Sequence, residues 1–201
     1  MENYWDQIIF GIKETSALEW IAVVAGILYV LLAAKKKILC WLFALMSTGI
    51  FIYLCFQQKL FIESGLQVFY FAMAIYGWLN WKKDERKKLP IQVWPVKYHI
   101  INIILSTFVA LGLGYFMGVY TDQENPYLDA FTTIFSLAAT FMVAQRVLEN
   151  WIYWIIIDVG LAYLYSSRGL ELAGLQYLVF SIIAIFAWFS WYKYYKTQKI
   201  L

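Results

Sequence analysis

The sequence predicts an all-α membrane protein with seven transmembrane helices, and three observations carry this prediction. Hydrophobic residues make up 63% of the 201 residues, aromatic residues 20% and charged residues only 14%, whereas soluble proteins carry about 25% charged residues. The apolar residues fall into seven stretches of about 20 residues, the length that spans a bilayer. The basic residues gather in alternate loops. A soluble fold of this size could not bury so much apolar surface, so the bilayer is the predicted solvent.

The seven helices are predicted at 17–34, 38–56, 61–81, 98–119, 127–144, 150–165 and 173–192. The remaining length leaves no room for a soluble domain. Residues 1–16 are predicted to form a short extramembrane lead, and residues 193–201 a cytoplasmic tail. The lead contains Glu2, Asp6 and Glu14 and has no basic region followed by a small-residue cleavage site, so it is not typical of a signal peptide.

The distribution of Lys and Arg predicts an external N-terminus and a cytoplasmic C-terminus. In this orientation 13 of the 16 basic residues lie inside, and only Lys13, Lys59 and Arg168 lie outside. Such a bias follows the positive-inside rule. The net charge of +3 is therefore explained by topology and requires no nucleic-acid partner. The run KKDERKK at 82–88 can also contact anionic membrane lipid.

An internal repeat appears when the chain is shifted by 110 residues against itself. The shift aligns three pairs of tryptophans, which are Trp41 with Trp151, Trp78 with Trp188, and Trp81 with Trp191. It pairs a three-helix repeat at 17–81 with a second at 127–192 and leaves a linker helix at 98–119. The linker returns the chain to the outside, so the two repeats run parallel in a SWEET-like 3+1+3 plan. Parallel repeats occur in transporters, whose substrate sites tend to lie between the repeats.

Other functional classes find little support in the sequence. Cys40 and Cys55 lie about four turns apart on one predicted helix and cannot meet, and His99 is the only histidine. We therefore predict no metal site and no cofactor. No nucleophile and base stand together, so an enzyme is not expected. A retinal pump is excluded in its usual form, because the seventh predicted helix has no lysine between Ala173 and Trp191.

Asp158 is the main candidate for a binding residue, because it lies midway along the sixth predicted helix. A charge near the bilayer centre costs about 2.5–3.5 kcal/mol on insertion scales, so such residues usually have a function. Trp151, Trp154 and Asp158 follow the spacing i, i+3, i+7 and share one helix face. An alternative role for Trp151 is an anchor at the membrane rim, like those expected for Trp78, Trp81, Trp188 and Trp191.

Four further polar or aromatic residues complete the candidate binding site. Glu63, Gln67 and Tyr70 share a face of the third predicted helix, and Gln176 lies in the outer half of the seventh. Aromatic faces bind cations, a carboxylate neutralises their charge, and amides orient a polar edge. The set therefore suits a small, planar, cationic solute. Glu63 could instead be merely interfacial, and both glutamines could join helices to each other.

The segment ENWIYWIIID at 149–158, with Leu164-Tyr165 and Arg168-Gly169-Leu170 after it, resembles the sixth-helix signature of the PnuC-type vitamin transporters. The end of the first repeat, Tyr76-Gly77-Trp78 with Trp81, is similar to that family as well. The family includes nicotinamide riboside transporters and thiamine-carrying relatives. The resemblance implies facilitated diffusion of a cationic vitamin precursor, which a cytosolic kinase then traps by phosphorylation. It also implies a substrate site at Trp151, Trp154 and Asp158, with Gln67 and Gln176.

The resemblance implies a location in the bacterial inner membrane and leaves the substrate open. Nicotinamide riboside is favoured over thiamine on family frequency alone. A SWEET-like sugar transporter is less favoured, because Pro90, Pro95 and Pro126 all lie outside the predicted helices and a neutral sugar gives no reason for Asp158. A homo-oligomer, the transport rate and ion coupling are also left open.

Overall fold

A computed structural model of the protein describes residues 16–59, 61–82, 90–169 and 171–198, and these residues form seven α-helices. Residues 1–15 of the predicted lead, most of the basic run at 82–88 and the last three residues lie outside the described residues. The predicted number of helices is confirmed, with boundaries shifted by at most a few residues except at the end of the last helix. The helices are α1 (Ala17–Ala34), α2 (Cys40–Gln57), α3 (Phe61–Lys82), α4 (Val96–Tyr120), α5 (Pro126–Ala144), α6 (Asn150–Ser167) and α7 (Glu171–Gln198).

Local sequence explains where several helices begin and end. The Ser16 hydroxyl accepts a hydrogen bond from the Glu19 N–H at 3.1 Å and caps α1, as serine commonly does. Pro126 opens α5, where its fixed φ fits the first turn. Left-handed residues with φ between 57° and 72° follow α1, α2, α5 and α6 and let the chain reverse; they are Lys36, Lys59, Arg146 and Gly169.

Five helices are long and apolar enough to cross a membrane by length and composition, namely α1, α2, α4, α5 and the Ala173–Gln198 part of α7. The other two described helices, α3 and α6, do not meet this criterion, because polar side chains interrupt their apolar stretches. These side chains include Glu63 and Gln67 on α3 and Asp158 on α6. The same two helices carry most of the candidate binding residues.

Six of the helices form a closed ring. Around it, α1 packs against α2, α2 against α3, α3 against α5, α5 against α6, α6 against α7, and α7 against α1. Within the described part of the chain, α4 lies outside this ring and packs mainly on α5, and its outer face exposes apolar side chains such as Ile104 and Phe108. We call α1–α3 the first half of the ring and α5–α7 the second half.

Four tryptophans meet inside one end of the ring, and we call them the tryptophan cluster. Trp81 and Trp191 lie side by side with 6.2 Å between ring centroids. Trp41 packs edge to face on Trp81 at 5.4 Å, and Trp151 packs in the same way on Trp191 at 5.5 Å. All four are buried. The expectation that Trp81 and Trp191 anchor the membrane rim is therefore wrong.

Hydrogen bonds across the ring explain why Trp81 and Trp191 point inward. The Trp81 indole donates to the Ala144 carbonyl at 3.2 Å, and the Trp191 indole donates to the Ala33 carbonyl at 3.1 Å. The last carbonyls of a helix have no partner within the helix. Each bond therefore joins one half of the ring to a helix end of the other half.

The loop between α5 and α6 adds a further contact between the halves. Arg146 is only 7% exposed. Its guanidinium donates to the Asn80 carbonyl at 3.1 Å and lies 5.2 Å from the centre of the Trp81 ring. The Asn80 amide donates to the Ala144 carbonyl at 2.8 Å. Arg146 therefore holds the end of α3 against the end of α5.

Lys36, which lies 110 positions before Arg146, makes a similar but weaker contact in the loop between α1 and α2. Its ammonium donates to the Ser190 hydroxyl at 3.4 Å and lies 4.9 Å from the centre of the Tyr194 ring. The Ser190 hydroxyl donates to the Ala34 carbonyl at 3.3 Å. Partial burial lowers the pKa of Lys36 from its usual value. The two loop contacts thus occupy matching places in the two halves.

The connector that follows the first half runs along the end of the second half. The Gln92 N–H donates to the Arg146 carbonyl at 2.9 Å, and the Leu148 N–H donates to the Gln92 carbonyl at 2.8 Å. The Gln198 side chain pairs with both main-chain groups of Ile91 at 2.7–2.9 Å. These bonds fix where α4 begins.

Candidate functional site

Asp158 is buried in the second half of the ring with 3% of its surface exposed. Among the residues that the structure describes, none donates a hydrogen bond to its carboxylate or forms an ion pair with it. A buried charge is costly unless it is paired. Asp158 is therefore equipped to bind a cationic partner that comes from outside the chain.

Trp154 and Trp151 follow Asp158 along the same face of α6 but differ in their surroundings. Trp154 lies one turn from Asp158 and is half-buried. Trp151 lies a further turn away, inside the tryptophan cluster, where it contacts Trp191. The structure thus places Trp154 nearer to the carboxylate and Trp151 in a closed aromatic contact.

The indole N–H groups of Trp41 and Trp151 are buried and have no conventional hydrogen-bond acceptor in the described structure. Both rings stand nearly perpendicular to a neighbouring indole, at 89° for Trp41 on Trp81 and 84° for Trp151 on Trp191. Edge-to-face geometry lets an N–H point at a π face, which is a weak acceptor. The two unpaired donors therefore have the same physical explanation in both halves.

The residues on α3 differ in how they face the interior. Tyr70 is half-buried. Gln67 is also half-buried. Glu63 is exposed near the start of α3. Of the three, Gln67 and Tyr70 are therefore the residues that the fold partly buries.

Gln176 is half-buried on α7, next to Tyr177. Among the described residues, no recorded hydrogen bond involves the side chain of Gln176 or Gln67, and no recorded contact joins either to Asp158. The predicted roles of the two glutamines in substrate binding remain predictions. Their partial burial leaves their amides available to a ligand.

Two tyrosines of the second half were not among the predicted binding residues. The rings of Tyr165 on α6 and Tyr177 on α7 stack with 5.2 Å between their centroids and an angle of 25° between their planes. The sequence relates each of them to a predicted binding residue. Tyr165 lies seven residues after Asp158, and Tyr177 aligns with Gln67 when the chain is shifted by 110 residues.

His99 lies in the first turn of α4, away from these residues. Its Nδ1 is 3.1 Å from the Tyr153 hydroxyl, and its Nε2 is 3.9 Å from the Glu149 carboxylate. The Glu149 carboxylate also accepts the Trp94 N–H at 3.3 Å. His99 therefore links the start of α4 to α6. In the described part of the chain, no three His, Cys, Asp or Glu side chains gather where they could hold a metal ion.

The fold and site together define a class of protein. The helices build a membrane-embedded ring. Its interior carries a buried carboxylate that has no partner among the described residues, two half-buried amides and a stacked pair of tyrosines. Polar and ionisable groups at membrane depth mark substrate pathways. The class is that of multi-pass transporters of small solutes.

Comparison with known proteins identifies the family. The sequence model of the family described as "Nicotinamide mononucleotide transporter" matches residues 16–193. The chain belongs to this family, a family of transporters and not of enzymes, and is a multi-pass protein of the cell membrane. The predicted resemblance to PnuC-type transporters is confirmed.

Two curated relatives are similar along most of their length. The nicotinamide riboside transporter PnuC of Escherichia coli is 25% identical over 198 residues, which cover 85% of this chain and 83% of the relative. The riboflavin/roseoflavin transporter RibM of Streptomyces davaonensis is 22% identical over 163 residues, which cover 78% of this chain and 76% of the relative. The two relatives are named for different vitamins.

A solved structure shows the same fold. The crystal structure of the vitamin B3 transporter PnuC matches with a TM-score of 0.75 and 22% sequence identity, over 96% of this chain and 88% of that chain. At this identity the likeness concerns the fold.

Proposed function

We propose that the protein takes up nicotinamide riboside by facilitated diffusion. The observation that carries this proposal is the buried carboxylate of Asp158, which has no partner among the residues that the structure describes. Nicotinamide riboside contains a pyridinium ring with a permanent positive charge, which Asp158 would neutralise. Trp154, one turn away, offers an aromatic face to the same cationic ring. The relatives named for nicotinamide riboside support the same substrate.

The nucleoside suits the site better than the mononucleotide. A phosphate group would need Lys, Arg or a helix N-terminus to neutralise it. The described basic residues lie in loops or near helix ends, as Lys36, Arg146 and Arg168 do. A phosphate near Asp158 would meet a like charge instead. A substrate that is cationic at its ring and uncharged elsewhere fits the distribution of charge.

Two other vitamins remain alternatives, each for a specific reason. Riboflavin is named for the RibM relative, although its neutral ring makes no use of Asp158. Thiamine is cationic and would use Asp158, but it carries only one hydroxyl group. A neutral sugar, as in SWEET-type transporters, is less favoured on the same charge argument.

Alternating access is proposed to arise from rocking of the two halves against each other. In this proposal they are the parallel repeats at 17–81 and 127–192, joined by the linker helix at 98–119 in the 3+1+3 plan. With the N-terminus outside, the tryptophan cluster lies at the cytoplasmic end. The contacts of Trp81 and Trp191 across the ring would close this end, and they must separate to release substrate into the cytoplasm.

A cytosolic kinase would then phosphorylate the transported substrate and prevent its return. Uptake would be effectively one-way without a coupled ion.

The side-chain amides of Gln67 and Gln176 would orient the substrate, and Tyr70 and Trp151 would complete its aromatic surroundings. Glu63 at the exposed start of α3 would attract cations toward the site. Membrane lipid surrounds the ring in this proposal.

Equilibrium binding to the purified protein tests the substrate. Isothermal titration would compare nicotinamide riboside, nicotinamide mononucleotide, thiamine and riboflavin at one salt concentration. We expect nicotinamide riboside to bind tightest, by at least about tenfold over each of the others, which is 1.4 kcal/mol. Tightest binding of riboflavin or thiamine would replace the proposed substrate, and binding of none would refute the proposed function.

A further inference from the structure

The two halves of the ring meet at two places in the described part of the chain. The last helix of the first half, α3, packs on α5, and the last helix of the second half, α7, packs on α1. We call these contacts the α3–α5 seam and the α1–α7 seam. The shift of 110 residues relates them, because it aligns α1 with α5 and α3 with α7. Their indole bonds are alike, at 3.2 Å for Trp81 and 3.1 Å for Trp191.

A second pair of matching hydrogen bonds differs between the seams. In the α3–α5 seam the Asn80 amide donates to the Ala144 carbonyl at 2.8 Å. In the α1–α7 seam the aligned Ser190 hydroxyl donates to the aligned Ala34 carbonyl at 3.3 Å. The second distance is longer than is usual for a hydroxyl donor. The bond in the α3–α5 seam is therefore the stronger of the two.

The basic loop residues differ in the same direction. Arg146 donates to the Asn80 carbonyl of the α3–α5 seam at 3.1 Å and is buried. Lys36 donates to the Ser190 hydroxyl of the α1–α7 seam at 3.4 Å and is half-buried. A charged donor interacts more strongly where water is excluded. The basic residue therefore also stabilises the α3–α5 seam more than the α1–α7 seam.

The α3–α5 seam contains two further contacts for which the α1–α7 seam lacks the side chains. The Gln145 amide donates to the Tyr76 hydroxyl, and the Tyr76 ring stacks on Phe141 with 6.2 Å between centroids and an angle of 7°. The residues at the matching positions of the α1–α7 seam are Lys35, Phe186 and Leu31. Phe186 has no hydroxyl to accept a hydrogen bond, and Leu31 has no ring to stack.

The chain that follows α3 adds main-chain bonds at the α3–α5 seam. Gln92 donates its N–H to the Arg146 carbonyl at 2.9 Å and accepts the Leu148 N–H at 2.8 Å. The connector after α3 is thereby joined to the loop after α5. Among the described residues, no such main-chain pair joins α7 to the loop after α1.

We propose that the tryptophan end of the ring opens at the α1–α7 seam, while the α3–α5 seam acts as the hinge. Two bodies that are joined at two contacts separate at the weaker contact, and the stronger one becomes the axis of rotation. The Trp81 and Trp191 rings part in this motion, and the bond from Trp191 to Ala33 breaks. The inference rests on the proposed alternating access and adds the exit route of the substrate, which lies between α1 and α7.

A matched pair of cross-links in the full-length protein tests the inference. Ala34→Cys with Ser190→Cys locks the α1–α7 seam, and Ala144→Cys with Asn80→Cys locks the aligned positions of the α3–α5 seam. Each pair is oxidised, or is bridged with a short bifunctional thiosulfonate where the disulfide does not form. Uptake of nicotinamide riboside into lipid vesicles is measured before cross-linking, after it and after reduction.

The two cross-links should have opposite consequences for uptake. Locking the α1–α7 seam should lower uptake at least about tenfold, since the conformational step limits transport, and reduction should restore it. Locking the α3–α5 seam should lower uptake less than about twofold, because a hinge need not separate. The background carries Cys40→Ala and Cys55→Ala, and the single-cysteine variants are the controls. Equal losses from both cross-links, or a larger loss from the α3–α5 cross-link, would overturn the inference.

Hydrogen exchange without ligand tests the same inference independently of the substrate. The Lys36 N–H donates to the Ala33 carbonyl and the Arg146 N–H to the Val143 carbonyl, both at 2.9 Å. After correction for intrinsic rates, Lys36 should exchange at least about fivefold faster, because its seam opens more often. Locking the α1–α7 seam should remove most of this difference, and locking the α3–α5 seam should not.

The exchange measurement separates the inference from the proposed function. If the wild-type protein takes up no nicotinamide riboside, the proposed function fails, and the exchange comparison alone decides which seam opens. Equal or slower exchange at Lys36 in the wild-type protein would overturn the inference, whether or not the cysteine variants fold. Faster exchange at Lys36 that persists after the α1–α7 seam is locked would overturn it as well.

Discussion

The two halves of the ring share their contacts at the tryptophan end and differ in the layer that carries Asp158. In each half a tryptophan of the middle helix packs edge to face on a tryptophan of the last helix, which donates its N–H to a helix end of the other half. The residues are 110 positions apart in every case, namely Trp41 with Trp151 and Trp81 with Trp191. The repeated positions therefore hold the halves together.

The residues around Asp158 have no chemically similar counterparts at the matching positions of the first half. The matching residue in the first half is Thr48, whose hydroxyl donates to the Ala44 carbonyl of its own helix at 2.8 Å. Trp154 likewise matches Ala44, a small residue. The first half thus satisfies its polar group locally, whereas the second half leaves a carboxylate unsatisfied. The contacts that both halves share can therefore position a binding site whose charged residue, Asp158, comes from only one half. A bound ligand is then held asymmetrically.

The largest expected effect concerns the tryptophan cluster, to which both halves contribute. Trp191→Ala removes a fully buried indole and its hydrogen bond to Ala33, and we expect it to lower the free energy of unfolding by about 3–5 kcal/mol. Thermal unfolding in detergent measures the change. Phe186→Ala on the same helix is the control, because Phe186 is 70% exposed, and it should have a much smaller effect. Equal effects of the two substitutions would contradict the role of the tryptophan cluster.

A smaller effect is expected from the difference in packing space between the ring and α4, which lies outside both halves. A Cβ atom on Gly77 would overlap the Trp41 ring, whereas a Cβ on Gly112 would meet nothing within 4 Å. Gly77→Ala should destabilise the protein by about 1–3 kcal/mol through overpacking. Gly112→Ala should be neutral or stabilising, since alanine favours a helix over glycine by about 1 kcal/mol. A neutral Gly77→Ala would show that Trp41 can move away without cost.

The smallest stability difference concerns the two basic loop residues. Lys36 and Arg146 share φ of 57°, so alanine at either position keeps a non-glycine residue in the same backbone conformation. Arg146→Ala should cost about 1.5–3 kcal/mol, because it removes a buried charged donor. Lys36→Ala should cost less than about 1 kcal/mol, as for partly exposed charges. Chemical denaturation compares the two, and a larger loss for Lys36→Ala would reverse the ranking of the two contacts.

Much of the fold could be predicted from the sequence because the bilayer imposes a length on each apolar segment. The helix count, the polar interruptions in α3 and α6 and the burial of Asp158 all follow from this constraint. The inward position of Trp81 and Trp191 could not be predicted, because an aromatic residue near a helix end suits a rim anchor or a core equally well. The rotation of the helix decides between them, and packing with other helices sets that rotation.

The tyrosines illustrate a second limit. Tyr163 and Tyr165 are two residues apart and chemically identical, yet one faces outward and the other faces the interior. Residue type gave no reason to select Tyr165 or Tyr177, and tyrosine is abundant in this chain, with 16 residues. A charged residue in an apolar helix can be recognised in the sequence because its burial costs free energy, as it does for Asp158. An amphipathic tyrosine ring cannot be recognised in this way.

The most direct test of the account uses charge alone, with the ligand shape held nearly constant. Nicotinamide riboside is cationic, and its dihydro form is uncharged, so the ratio of their affinities measures recognition of the charge. We predict that the wild-type protein prefers the cation and that Asp158→Asn loses this preference, weakening binding of the cation by about 1.5–3 kcal/mol. Thr48→Val in the first half should leave the ratio unchanged. The same ratio in Asp158→Asn as in the wild-type protein would contradict the central role of Asp158.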